Sequence, residues 1–200
     1  MTSILKKTCS AVALSVAALA MSASASAAFI PNGATLNYAG GGTVTVTLSG
    51  SDATFISQLF LYDDTFSIIP ISPVLLTSTN LIGTTFGFDP ADYIPGIMAG
   101  DELVFGIFVT VPSAPNSPNN NQTYFMGPGS RNVDGVIHAH ATPIGVLTAE
   151  VRFEDRLNGG DLDYDDITFE FEGVRVAVPE PGTMLLAGLG LLGLGLMRRR

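Results

Sequence analysis

Apolar and polar residues alternate with a period of two along most of this chain. Thr43-Val44-Thr45-Val46-Thr47-Leu48 puts two valines and a leucine on one face and three threonines on the other, the pattern of a half-buried strand. Residues 54–62 read as a second strand. Residues 103–111 are apolar at successive positions, which predicts a central strand covered on both faces. Residues 146–154 alternate again, with Leu147, Ala149, Val151 and Phe153 inward and Thr148, Glu150, Arg152 and Glu154 outward. Ile167, Phe169 and Phe171 share one face of a further strand, and Thr168, Glu170 and Glu172 share the other. Gly40-Gly41-Gly42, Ser49-Gly50-Ser51-Asp52, Asp89-Pro90 and Gly159-Gly160 read as turns between these runs. No 3.6-residue stripe stands out between the two ends of the chain. Short strands punctuated by Gly and Pro predict an all-β fold, an antiparallel β-sandwich of jelly-roll-like form.

The two ends break this pattern. Lys6 and Lys7 precede an apolar run at 11–20, and Ala25-Ser26-Ala27 fits a small-residue cleavage site. Residues 1–27 therefore read as a helical signal peptide, with the mature chain starting at Ala28. A retained membrane anchor is the alternative, disfavoured because the run is short and ends in Ser and Ala. Cys9 precedes the apolar run, so it does not suit lipid attachment. At the other end Pro179-Glu180-Pro181 is followed by an apolar run at 183–197 and by Arg198-Arg199-Arg200. Fifteen helical residues span only ~22 Å against a hydrocarbon core of ~30 Å. Arginines snorkelling to the headgroups shorten that gap, and their charge favours the cytoplasmic side. A buried core helix is the alternative, but the run has no polar face. Residues 178–200 resemble the PEP-CTERM sorting signal of Gram-negative bacteria. That resemblance implies transient retention in the inner membrane, processing by an exosortase near Pro179-Glu180-Pro181, and a cell-surface or extracellular-matrix destination, often beside exopolysaccharide.

Between the ends lies one domain, residues 28–177. From Ala28 to Glu180 the chain carries all 18 of its acids against four bases, Arg131, Arg152, Arg156 and Arg175, a formal balance of −14, and no lysine. Phosphate binding needs clustered cations, so a nucleic-acid partner is excluded, and anionic membrane surfaces are disfavoured. Divalent cations suit this charge. The domain has no cysteine, which removes disulfides and thiol chemistry. Residues 112–122 (PSAPNSPNNNQ) read as a surface loop rather than a domain boundary, because strand pattern resumes on both sides.

Six acids crowd into residues 154–166: Glu154, Asp155, Asp161, Asp163, Asp165 and Asp166, opposed there only by Arg156. The flanking strands put them at a hairpin tip. Unit charges ~5 Å apart repel by under ~1 kcal/mol in water and by several times that where solvent is excluded. A cation relieves this, and calcium suits an oxygen-only set. Asp155, Asn158, Asp161, Asp163, Asp165 and Asp166 are the candidate ligands, with Gly159 and Gly160 free to turn tightly. Zinc prefers His or Cys, and the loop has neither. An EF-hand is rejected: Asp166 stands where a glycine is needed, and Glu172 falls on the following strand ~20 Å away at ~3.3 Å per residue. The bland alternative is a solvated acidic turn that discourages edge aggregation.

Phe153-Glu154-Asp155 and Gly159-Gly160-Asp161-Leu162-Asp163-Tyr164-Asp165-Asp166, with Tyr124-Phe125 and Asn132-Val133-Asp134-Gly135-Val136-Ile137-His138 upstream, resemble a bacterial family called domain of unknown function 4114. The likeness spans about 101–175. It implies a β fold in secreted or matrix proteins, with calcium contact and no established activity. Asn132, Asp134 and His138 are additional candidate ligands, expected to pack beside the loop. His138 and His140 are the chain's two histidines. On a strand they form half a zinc site, with no evident third ligand, and no G-x-S-x-G elbow is present. The expected function is a structural or binding role at the cell surface or in the matrix, without enzymatic activity. One rival is an exopolysaccharide-binding module stacking sugars on Tyr38, Tyr62, Tyr93, Tyr124 or Tyr164. The other is a metal-dependent hydrolase built on His138 and His140.

Overall fold

A computed structural model describes residues 32–52, 54–69 and 74–177. The leader at 1–27 and the apolar segment at 183–197, both expected to be helical, lie outside the described residues. Eleven strands are described: β1 (Thr35–Tyr38), β2 (Val44–Ser51), β3 (Ile56–Tyr62), β4 (Leu76–Thr77), β5 (Thr85–Phe88), β6 (Glu102–Thr110), β7 (Gln122–Phe125), β8 (Ala139–Pro143), β9 (Thr148–Phe153), β10 (Ile167–Glu172) and β11 (Val174–Ala177). Every strand pairing is antiparallel.

One sheet runs β11-β1-β6-β3-β4, with β7 also paired to β6. The second runs β5-β2-β10-β9-β8. Inward residues of both sheets form one core: Leu36, Leu59, Leu61, Phe105 and Ile107 from the first, Val46, Val151, Phe153, Phe169 and Phe171 from the second. Phe105 and Phe171 meet across the layers with ring centroids 4.7 Å apart. The two sheets therefore pack face to face, as the alternation predicts. The winding departs from a jelly roll, because β8, β9 and β10 lie side by side as a meander in one sheet.

The apolar run at 103–111 is indeed central. Strand β6 pairs with β1, β3 and β7, and Leu103 to Ile107 are buried in unbroken succession. Its outer face meets a smaller cluster of Phe60, Tyr62 and Val104, flanked by Phe108 and Phe125. The turn expected at Ser49-Gly50-Ser51-Asp52 is instead a bulge within β2. Thr168 faces Gly50 while Phe169 faces Leu48, so Ser49 is the extra residue. A bulge bends a strand without ending it, and β2 continues to Ser51. The Pro- and Asn-rich segment links β6 to β7 as a chain of exposed turns, and Asn120 ties it down by accepting from the Val111 N–H at 2.7 Å.

Candidate metal centre

Strands β9 and β10 form a hairpin, with Phe153 opposite Ile167. Residues 154–166 are its connection, as the flanking alternation predicts. Three non-glycine residues of this loop adopt left-handed backbone, Asn158 (φ 62°), Leu162 (φ 63°) and Tyr164 (φ 56°), beside Gly159 (φ 74°) and Gly160 (φ 45°). Each such L-residue costs about 1–2 kcal/mol, so a tight loop of this kind needs compensation. Tyr164 supplies part of it: its ring is fully buried and its hydroxyl donates to the Ile137 carbonyl at 2.6 Å. Burial, with Glu154 and Asp134 nearby, pushes that hydroxyl up to about 12.

Glu154 corrects the sequence reading. Alternation puts it outward, yet it is fully buried, as is Phe153 before it. The loop folds back over the outer side of β9. Gly160 lies so close that an added Cβ would stand 2.2 Å from Glu154 Oε1. Neither carboxylate oxygen of Glu154 receives a hydrogen bond from an N–H or hydroxyl donor. Burial first, then Asp166, Asp161 and Asp163, push this carboxyl up to about 9. Carboxylate oxygens of Glu154, Asp161 and Asp163 lie within 4.8 Å of one another. Asp161 and Asp163 are exposed, so the three form a shallow acidic cup with Glu154 as its floor.

The other candidate ligands are arranged around this cup rather than in it. Asp155 is fully buried and turned toward β3, where Ser57 Oγ donates to its Oδ2 at 2.9 Å. Its second oxygen has no donor, and burial followed by Asp166 pushes the carboxyl up to about 7. Asp166, 9 % exposed, accepts from the Asp155 N–H at 2.9 Å. Asp165 is exposed, and a hydrogen bond shared with Asp163 raises its carboxyl above the ordinary range. Asn158 is exposed, and its N–H donates to Asp134 Oδ2 at 2.7 Å. Glu172 lies at the far end of β10, opposite Thr45 and Thr148.

The 132–138 segment does pack beside the loop, but as its brace. Asn132 spends its side chain on backbone, accepting from Phe125 N–H at 2.7 Å and donating to the Val136 carbonyl at 2.8 Å. Asp134 holds His138 Nε2 at 2.9 Å and accepts from the Val136 and Asn158 N–H groups. Burial raises the Asp134 carboxyl, and these hydrogen bonds outweigh it, leaving the group below its usual range. His138 is fully buried, stacks on Tyr124 at 3.9 Å, and donates from Nδ1 to the Glu154 carbonyl at 3.0 Å. Both ring nitrogens thus lie within hydrogen-bond distance of oxygens of Glu154 and Asp134. The ring is a clamp between the 132–138 segment and the start of the acidic loop.

His140, half-buried on β8 opposite Arg152, is lowered by burial and by that arginine. Among the described residues the two histidines join no group of converging ligands. The tyrosine row required for sugar stacking is not formed, because Tyr38, Tyr62, Tyr124 and Tyr164 are buried and only Tyr93 is exposed.

Among the described residues no helix is long and apolar enough to cross a membrane. No curated protein and no solved structure matches the chain. Residues 177–200 match the PEP-CTERM protein-sorting motif, beginning on the last residue of β11. The chain is thereby marked as an exosortase-targeted protein, exported to the cell envelope or surface.

Proposed function

We propose that this is a structural, non-catalytic component of the cell surface or extracellular matrix, whose β9–β10 loop is ordered by calcium. The observation that carries the reading is Glu154: a fully buried carboxyl that receives no backbone N–H or hydroxyl hydrogen bond, lies against the Asp166 carboxyl, and converges with two exposed aspartates. A bare buried carboxylate is costly unless neutralised. A divalent cation in the cup is held by Glu154, Asp161 and Asp163, and its remaining oxygens come from water or backbone. Calcium accepts six to eight oxygens in loose geometry, whereas magnesium demands a tight octahedron. The donor set is all oxygen, which suits neither zinc nor copper. The cation acts by mass action: binding only the closed loop, it stabilises the fold.

The test is a thermal melt of the purified protein in calcium, magnesium or chelator, for the parent chain and for Asp161→Asn and Asp163→Asn. At calcium about 100-fold above Kd the parent gains about 2.7 kcal/mol, read as a rise of several degrees. Both substitutions remove the rise. Equal melts in all three conditions refute the proposal and reduce the loop to a solvated acidic turn.

A further inference from the structure

A second site, unrelated to the acidic loop, opens on the outer face of the six-stranded sheet. It is a cleft of about 500 Å³, within the size range of small-molecule sites. Its floor is the registered pair Tyr62 and Val104, from β3 and β6. Ile94 and Phe66 also line it. Phe66 is 41 % exposed and adopts φ +61°, a backbone that bulky residues rarely take. The turn holding it there is built by Asp63, whose Oδ1 accepts from Thr65 N–H, Thr65 Oγ1 and Ser67 N–H. The Phe66 ring rests edge-on against Phe125, with centroids 4.9 Å apart.

The charge of the cleft is one-sided. Arg131, its single cation among the described residues, is committed: Nη1 and Nη2 pair with Glu102 at 2.5 and 2.9 Å, and Nη1 also reaches the Met126 carbonyl. That leaves Asp63, Asp64 and Asp101 without a cationic partner around an apolar floor. Unlike the carboxylates of the acidic loop, these form no group of three converging oxygens, so a bare metal ion is poorly held. Arg131 also lies over the Phe66 ring, 5.8 Å from its centroid, so that ring is already faced by a cation. A cation carried on a carbon skeleton is complementary to what remains: its charge meets the aspartates and its stem covers Tyr62 and Val104.

We propose that this cleft binds a small organic ammonium compound, a primary amine carried on an aliphatic chain or on a sugar ring. The reading is independent of calcium at the loop. Spermidine and glucosamine represent the two sources of that chemistry, and N-acetylglucosamine is the uncharged control. Each is titrated into the ¹⁵N-labelled full chain in zwitterionic detergent, followed by amide shifts. Either amine is expected to move signals of residues 62–66 and 101–104, while the control moves none. Asp64→Asn with Asp101→Asn weakens binding about tenfold, and Asp89→Asn with Asp92→Asn, on a neighbouring turn, leaves it unchanged. Thermal melts confirm that both double variants are folded. The proposal is overturned if neither amine binds, if N-acetylglucosamine binds as well as glucosamine, if the shifts map to 154–166, or if both double variants weaken binding equally.

Discussion

Glu154 is the residue on which the chemistry of this protein turns. Its carboxyl is raised from 4.5 to about 9, chiefly by burial, and Asp155 follows from 3.8 to about 7. The folded state therefore binds more protons than the unfolded chain through this window. Stability follows the difference in bound protons, so this contribution is complete below about pH 4 and is lost as pH rises toward about 9. In chelator the melting temperature should fall between pH 5 and pH 8.5, and calcium should flatten the fall. Glu154→Gln keeps the shape and deletes the charge. In chelator at pH 8.5 it should melt at least ~2 °C above the parent and no longer respond to calcium. A calcium response equal to the parent's would show that Glu154 is not the floor of the site. This residue was not legible in the sequence. Alternation tells which side of a strand a residue takes, but not whether a later loop will cover that side. Asp161 and Asp163 were legible because nothing covers them. Asp155 and His138 were visible as residue types but not in their roles, which depend on partners at Ser57 and Asp134 that are distant in sequence or set by a turn.

At the scale of elements, the acidic hairpin is shaped by backbone that only glycine takes without strain. Gly160 has φ 45° and ψ −118°, and a methyl group there would collide with Glu154 Oε1. Gly160→Ala should cost about 1–3 kcal/mol, read from the urea midpoint. It should also weaken calcium binding, because the loop can no longer close over β9. An unchanged midpoint would mean that the loop does not pack as described. The hairpin itself was plain in the sequence, since both flanking strands alternate cleanly. The bulge in β2 was not. Ser49 and Gly50 carry turn chemistry, and a bulge uses the same small residues without reversing the chain. Short strands such as β1, β5 and β11 are four residues each, too brief for alternation to separate from loop. Tertiary pairing defines them.

For the whole molecule, the charge balance and the sorting segment were the clearest signals, and the winding of the sheets was the least. Long-range pairing between strands far apart in sequence leaves no local trace. Replacing Pro179-Glu180-Pro181 with alanines should leave the C-terminal segment attached to the exported chain, seen as an unprocessed mass in the membrane fraction. Mature product at the parental level would remove this motif from the processing step.

The edge pairing of β11 carries a kinetic consequence. Thr35 lies opposite Ala177 and Tyr38 opposite Val174, so the first strand finds its outer neighbour only in the last. Likewise β2 waits for β10. Both opening strands also pair with the middle of the chain, β1 with β6 and β2 with β5, so a chain threaded across a membrane from its N-terminus can begin each sheet early but completes neither until β10 and β11 have emerged. The last links of both sheets thus come from the stretch of chain directly ahead of the sorting tail, which ties completion of the sandwich to the arrival of that tail.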